Sequence, residues 1–386
     1  MKPTQLYALV GIFSCLVAKA AFAEPAFPYK IGSRSTLAEV QRFRGEGKDH
    51  LVYELTLENF NPKALHLEAL QIQLQNGGKD ILVKELRGEE LTKSFSIASE
   101  PKNKPQDPIL PPGMAGVIFV FLDLPDKIGA ADSIVNKLVV QEPGQPTTRK
   151  TQEIARLKIS PKPVRVVSSP LRGLRWWTPN GPANDSIHRR ILIPFEGKIW
   201  APERFATDWI LLDEHGRNYT DTPDQNGHFY AYGAKVLSVA PGKVVAVKDG
   251  LAENVPNSKE MAVPINMETI GGNHVVVDIG GGLYAFYAHL QPGKIAVKVG
   301  DLVKKGDPIG LLGNSGNSSE PHLHFQLMDR PDPLLAQGQP FAYDHFTHLL
   351  GEVHFDAKEN PSGLALRGKE EVKNEVYMNQ EIVNFP

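Results

Sequence analysis

Apolar and polar residues alternate along Leu51–Phe60. Tyr53, Leu55 and Leu57 fall on one side, Glu54, Thr56 and Glu58 on the other. A period of two marks a strand with one buried face. Asn61-Pro62 turns the chain, and Leu65–Leu74 repeats the pattern. Leu70, Ile72 and Leu74 share one face, and Gln71, Gln73 and Gln75 share the other. Asn76-Gly77-Gly78 is a turn signal. Beyond a proline-rich stretch over 100–112, Gly116–Leu124 (GVIFVFLDL) predicts a well-buried strand. Strands at these intervals predict an Ig-like β-sandwich over residues 24–160. It carries no catalytic pattern and reads as a spacer, a binding module or a groove cover.

Pro161, Pro163 and Pro170 mark a boundary, and residues 161–190 read as a linker containing Trp176-Trp177 and Asn180-Gly181-Pro182. Strand signals then come densely: Ile191–Trp200, Phe205–Leu212, Lys235–Val239, Lys243–Val247, His274–Asp278 and Leu283–Leu290. Gly280-Gly281-Gly282 joins the last two as a hairpin. Val297–Gly313 has short strands between glycine turns. A long loop, Leu251–Gly272, holds Pro256 and Pro264; loops of that length in compact domains are often functional rims. The fold class is therefore all-β, with a second antiparallel β domain over 191–350. The charged stretch 351–386 reads as a peripheral tail.

Composition adds two constraints. The chain has 386 residues, 41% of them hydrophobic, and a net charge of −2, which suits two globular domains. With no Lys/Arg block, nothing draws it to nucleic acid. At the N-terminus, Lys2, the apolar run Leu6–Val17 and Ala21-Phe22-Ala23 form a signal-peptide pattern over residues 1–23. The run is too short for an ordinary spanning helix. The expectation is export to the periplasm, cell envelope or medium, with no transmembrane segment in the mature chain. Cys15, the one cysteine, lies inside this segment, and Ile12-Phe13-Ser14 before it fits a lipoprotein site poorly. A mature chain without cysteine has no disulfides, and any metal site must use His, Asp or Glu.

The candidate chemistry centres on Gly310–Leu327, GLLGNSGNSSEPHLHFQL. A Gly/Asn/Ser loop breaks the apolar run, Pro321 fixes the entry, and HLHFQL reads as a strand. On a strand His322 and His324 share a face, with Cα atoms about 6.8 Å apart. Two imidazoles so placed can converge on one centre, one binding a metal and the other handling a water. Asp208, in Arg204-Phe205-Ala206-Thr207-Asp208-Trp209, is a carboxylate among apolar residues at a strand start. His289, in Tyr287-Ala288-His289-Leu290, ends a strand. Taken singly, Asp208 reads by default as an ordinary turn or salt-bridged aspartate, and His289 more often as a satisfied core histidine.

Asp208, then YAHL, then VKVGDLVKKGDPIG, then GNSGNSSEPHLHF is a set that resembles the LytM-type zinc metallopeptidases, peptidase family M23. The resemblance covers roughly Ile191 to Met328. It implies a two-sheet antiparallel β metallopeptidase domain that hydrolyses peptide cross-links or stems of peptidoglycan. It implies Zn²⁺ held by Asp208 and His324, with His289 and His322 as the catalytic pair. It also makes a cell-wall or divisome protein a natural partner. One position departs: the family pattern is His-x-x-x-Asp, and Arg204 stands four residues before Asp208. A guanidinium offers no lone pair to a metal. His188 is the first candidate to supply the missing ligand and His228 the second, each also readable as a surface histidine. The alternative is a degenerate domain that binds peptidoglycan or activates another wall hydrolase. A carrier-domain reading of Val297–Gly313 fails, because no lysine stands at a hairpin tip in the required motif.

Overall fold

The computed structural model describes residues 28–97, 107–125 and 131–386. The expected signal peptide and Cys15 lie outside the described residues. Almost all regular structure is β; the one α-helix among the described residues is Gly88–Ser94.

The first half packs two sheets face to face. One holds Ile31–Ser35, Lys48–Asn59, Ala115–Asp123 and Phe95–Ile97, with Phe43–Gly45 on the side. The other runs Glu39–Gln41, Gln145–Ser160, Ser133–Glu142, Leu65–Asn76, Lys79–Arg87. Between them lies a core of Leu55, Leu57, Leu70, Ile72, Leu74 and Ile118 with their neighbours. The alternating residues of Leu65–Asn76 behave as their period predicts, with Leu70, Ile72 and Leu74 buried and the glutamines partly exposed.

Lys48–Asn59 does not. A half-buried strand was expected, yet Glu54 is 0% and Thr56 2% exposed. The reason lies outside the sandwich: the polar face of this strand is covered by the second half of the chain. Val52 and Phe43 belong to the second half's core, where the Phe43 ring meets Phe205 edge-on at 5.3 Å.

That second half is built on a sheet of ten strands. In order across it come Leu302–Val303, Gly242–Lys248, Asn273–Asp278, Tyr284–Leu290, Leu323–Met328, Thr207–Leu211, Gly173–Trp177, Ile382–Phe385, Phe346–Phe355 and Pro361–Val372. The predicted hairpin is present, with Gly280, Gly281 and Gly282 all at positive φ. No strand is formed between Lys248 and Asn273, which leaves the long loop expected there.

Two stretches differ from expectation. Residues read as a linker are woven in: Arg165–Val167 pairs with Phe341–Tyr343, and Gly173–Trp177 pairs with both Thr207–Leu211 and Ile382–Phe385. Residues read as a peripheral tail supply two strands of the main sheet and the second half of a third, Phe346–Phe355, and Tyr377, Met378 and Phe385 lie in its core. Charge in that stretch is confined largely to the exposed face of one hairpin, Phe346–Val372, which masked the buried residues after it.

Candidate metal centre

Strand register assembles the site. Asp208 and His324 are directly paired across Thr207–Leu211 and Leu323–Met328. On the other side of Leu323–Met328, His324 is paired with Ala288, next to His289. Each motif thus sits on one of three neighbouring strands, and their side chains meet at one end.

His188 completes the group. It lies on a single 3₁₀ turn, Ile187–Arg190, within the stretch read as a linker. Its Nε2 is 3.2 Å from Asp208 Oδ2, and its ring stands edge-on to His324 at 5.0 Å between centroids. His188, Asp208 and His324 each place one donor atom within 4.8 Å of the others, and all three are buried. His228, the second candidate, instead bonds the Thr222 carbonyl at 2.8 Å and faces Asp224.

Neighbouring groups fix how each side chain can act. His188 Nδ1 faces the Ala206 carbonyl at 3.3 Å. His324 Nε2 donates to Gln326 Oε1 at 2.9 Å, and Gln326 Nε2 donates to the Pro333 carbonyl at 3.5 Å. That leaves His188 Nε2 and His324 Nδ1 as the ring atoms that face Asp208; a metal ion entering there would displace their protons and take their lone pairs. Asn180 Nδ2 donates to Asp208 Oδ2 at 3.0 Å, and Asp208 N donates to the Asn180 carbonyl at 2.9 Å. Burial alone would raise the Asp208 carboxyl, but His188 and His322 outweigh it and hold it well below the usual range. Burial likewise opposes charge on His188, yet Asp208 holds its pKa up to about 9.

His289 and His322 stand beside this group, 4.7 Å apart between ring centroids. His289 Nδ1 donates to the Ser315 carbonyl at 2.8 Å, and His322 Nδ1 to the Glu320 carbonyl at 2.9 Å. Both therefore keep Nε2 free, and His322 Nε2 is 3.6 Å from Asp208 Oδ1. Burial holds both rings below the ordinary imidazole value. His289 takes φ +62°, a conformation that costs energy for a residue with a Cβ. The glycine loop makes this possible: a Cβ on Gly316 would meet Gly272 N at 2.3 Å, so only glycine lets the loop bring the Ser315 carbonyl against His289.

Arg204 is nowhere near a ligand's role. It is 1% exposed and clamps Glu54 of the sandwich, with Nη2 2.7 Å from Oε2 and Nε 3.0 Å from Oε1. It also reaches Gln337 Oε1 at 2.8 Å and the Gly338 carbonyl at 3.0 Å. The sequence did not point to Asn180, Gln326 or Glu54. Gln326 had a signal, being two residues after His324 on the same strand face; the other two had none.

Buried imidazoles and a carboxylate converge at the end of an antiparallel sheet as a group that could hold a metal ion. Residues 227–336 match peptidase family M23, so the chain carries an M23 peptidase domain. The match begins after both His188 and Asp208. Among relatives, the peptidoglycan DD-endopeptidase ShyA of Vibrio cholerae is 45% identical over 65 residues, 17% of this chain and 15% of that protein. Lysostaphin of Staphylococcus simulans is 48% identical over 59 residues, 15% of this chain and 12% of that protein. The chain thus covers well under a fifth of either relative's length. Among solved structures, the catalytic domain of lysostaphin from Staphylococcus simulans is 27% identical, covering 33% of this chain and 86% of that one, with a TM-score of 0.21.

Proposed function

We propose that this protein is an exported zinc metalloendopeptidase that hydrolyses peptide bonds in peptidoglycan cross-links or stems. His188, Asp208 and His324 hold the ion, and His289 and His322 are the catalytic pair. The observation that carries this reading is the arrival of His188 beside Asp208 and His324, which restores a two-histidine, one-carboxylate set. The donor set suits zinc: borderline nitrogen and oxygen ligands, buried, with outer hydrogen bonds that fix the imidazole tautomers. A bound zinc ion would supply Lewis acidity to a peptide carbonyl and lower the pKa of a water.

The chain's own residues do the rest. His289 and His322, each pinned through Nδ1 to a backbone carbonyl, offer Nε2 to take a proton from the attacking water and return it to the leaving amine. Peptidoglycan as substrate is supported by the names of the relatives, and export by the N-terminal charge-apolar-small pattern. Arg204 no longer argues for a degenerate site, because its guanidinium is committed to Glu54.

The test is zinc analysis of the purified chain together with digestion of cell-wall muropeptides. Zinc is expected to be bound and peptide bonds cut. Loss of an outer-sphere partner costs such sites about 10–100-fold, so His188→Ala and His324→Ala should each lower turnover by more than about 100-fold. A folded protein with neither zinc nor cleavage sinks the proposal.

A further inference from the structure

The metal-site segment 183–190 is a short irregular stretch, and a lone 3₁₀ turn is a weak scaffold for a ligand. No side chain caps it. What holds it is the sandwich. Arg189, next to His188, is fully buried and its Nη1 pairs with Glu54 Oε1; its Nη2 reaches the Tyr53 and Val120 carbonyls at 3.5 Å. Arg190 donates to the Lys93 carbonyl at 2.9 Å and lies over the Phe119 ring at 4.1 Å. Asn184 donates to the Phe119 carbonyl at 3.3 Å. Every one of these contacts goes to the first half of the chain. His188 alone turns the other way, toward Asp208.

We infer that the N-terminal sandwich is part of the metal centre, with Glu54 acting as a positioning residue that holds Arg189 and, through it, His188. This rests on the reading of His188 as a zinc ligand. The position where the family pattern has its first histidine has passed to Arg204, which grips the other side of the same carboxylate. One buried glutamate thus joins the vacated position to the replacement ligand. Glu54 is not a catalytic residue, since it touches neither the donor atoms nor any space where substrate could lie. Its effect is on where an imidazole stands, and a misplaced ligand weakens a metal site as surely as a missing one.

The experiment is zinc competition against a chromophoric chelator on the full chain, with visible spectra of the cobalt-substituted protein and circular dichroism to show folding. Glu54→Gln keeps the side chain's shape and removes its charge. Folded Glu54→Gln is expected to bind zinc about 10–100-fold more weakly, with a cobalt spectrum altered as in His188→Ala. Glu375→Gln breaks a different contact across the same seam, Arg44 Nε to Glu375 Oε1 at 2.9 Å, and should leave both readouts unchanged. If Glu54→Gln does not fold, Arg189→Lys decides in its place, because it keeps a cation beside Glu54 while losing the guanidinium's reach. Wild-type zinc affinity and spectrum in a folded variant overturn the inference, and so does failure of both variants to fold, which makes the cluster purely structural. Absence of zinc from the wild-type chain defeats the earlier functional reading instead.

Discussion

At Arg204 the side chain that ought to disable the site is spent elsewhere. Four positions before Asp208 it turns to Glu54, and the pair is buried on both sides. Removing one member of such a pair typically costs about 3–5 kcal/mol, because the remaining charge is left in a low-dielectric setting. Arg189 still faces Glu54, so the low end of that range applies here. Arg204→His, which restores the family's spelling, is therefore expected to lose about 3 kcal/mol of stability in urea denaturation. Its zinc content should stay that of the wild type, since His188 already stands at Asp208. A gain of tighter zinc binding in Arg204→His would contradict this account.

The Lys48–Asn59 strand gives the molecule an acid-sensitive seam. Burial alone would push the Glu54 carboxyl up, but Arg204 and Arg189 outweigh it and hold it well below the usual carboxylate range. A folded pKa below the unfolded value of about 4.3 stabilises the fold at higher pH and loses that contribution as pH falls through the acid range. Melting temperature is expected to fall as pH is lowered from about 6 to about 3, and Glu54→Gln should flatten that slope. An identical slope in the two proteins would show that other carboxylates carry the dependence. The same strand shows where sequence reading stops. Asp208, His289, His322 and His324 were legible because each sits in a local pattern and strand pairing needs only three neighbouring elements to join them. His188 was legible only as one of two candidates, since nothing local says where a turn before the first strand will fold back. Glu54 was illegible: period two assigns it to solvent, and its partners lie 135 and 150 residues away. A covered polar face looks like an exposed one until the covering half is in place.

For the molecule as a whole, the matched family segment is smaller than the stretch that assembles the candidate site. A fragment of residues 227–336 keeps His289, His322 and His324 but lacks His188, Asp208 and one of the two strands that pair with His324. It is expected to retain no zinc after gel filtration, by elemental analysis; zinc retained at the full chain's level would show that the three remaining histidines suffice. The placement of Ile382–Phe385 carries a separate consequence. This short strand lies between Gly173–Trp177 and Phe346–Phe355, so Trp176 and Trp177 each have it as a partner on one side. A product interrupted before Ile382 would bare two open ladders flanking the gap, near the strand that bears Asp208. Copies lacking that strand would thus be sticky and protease-prone, because the two edges it normally joins would stay unpaired.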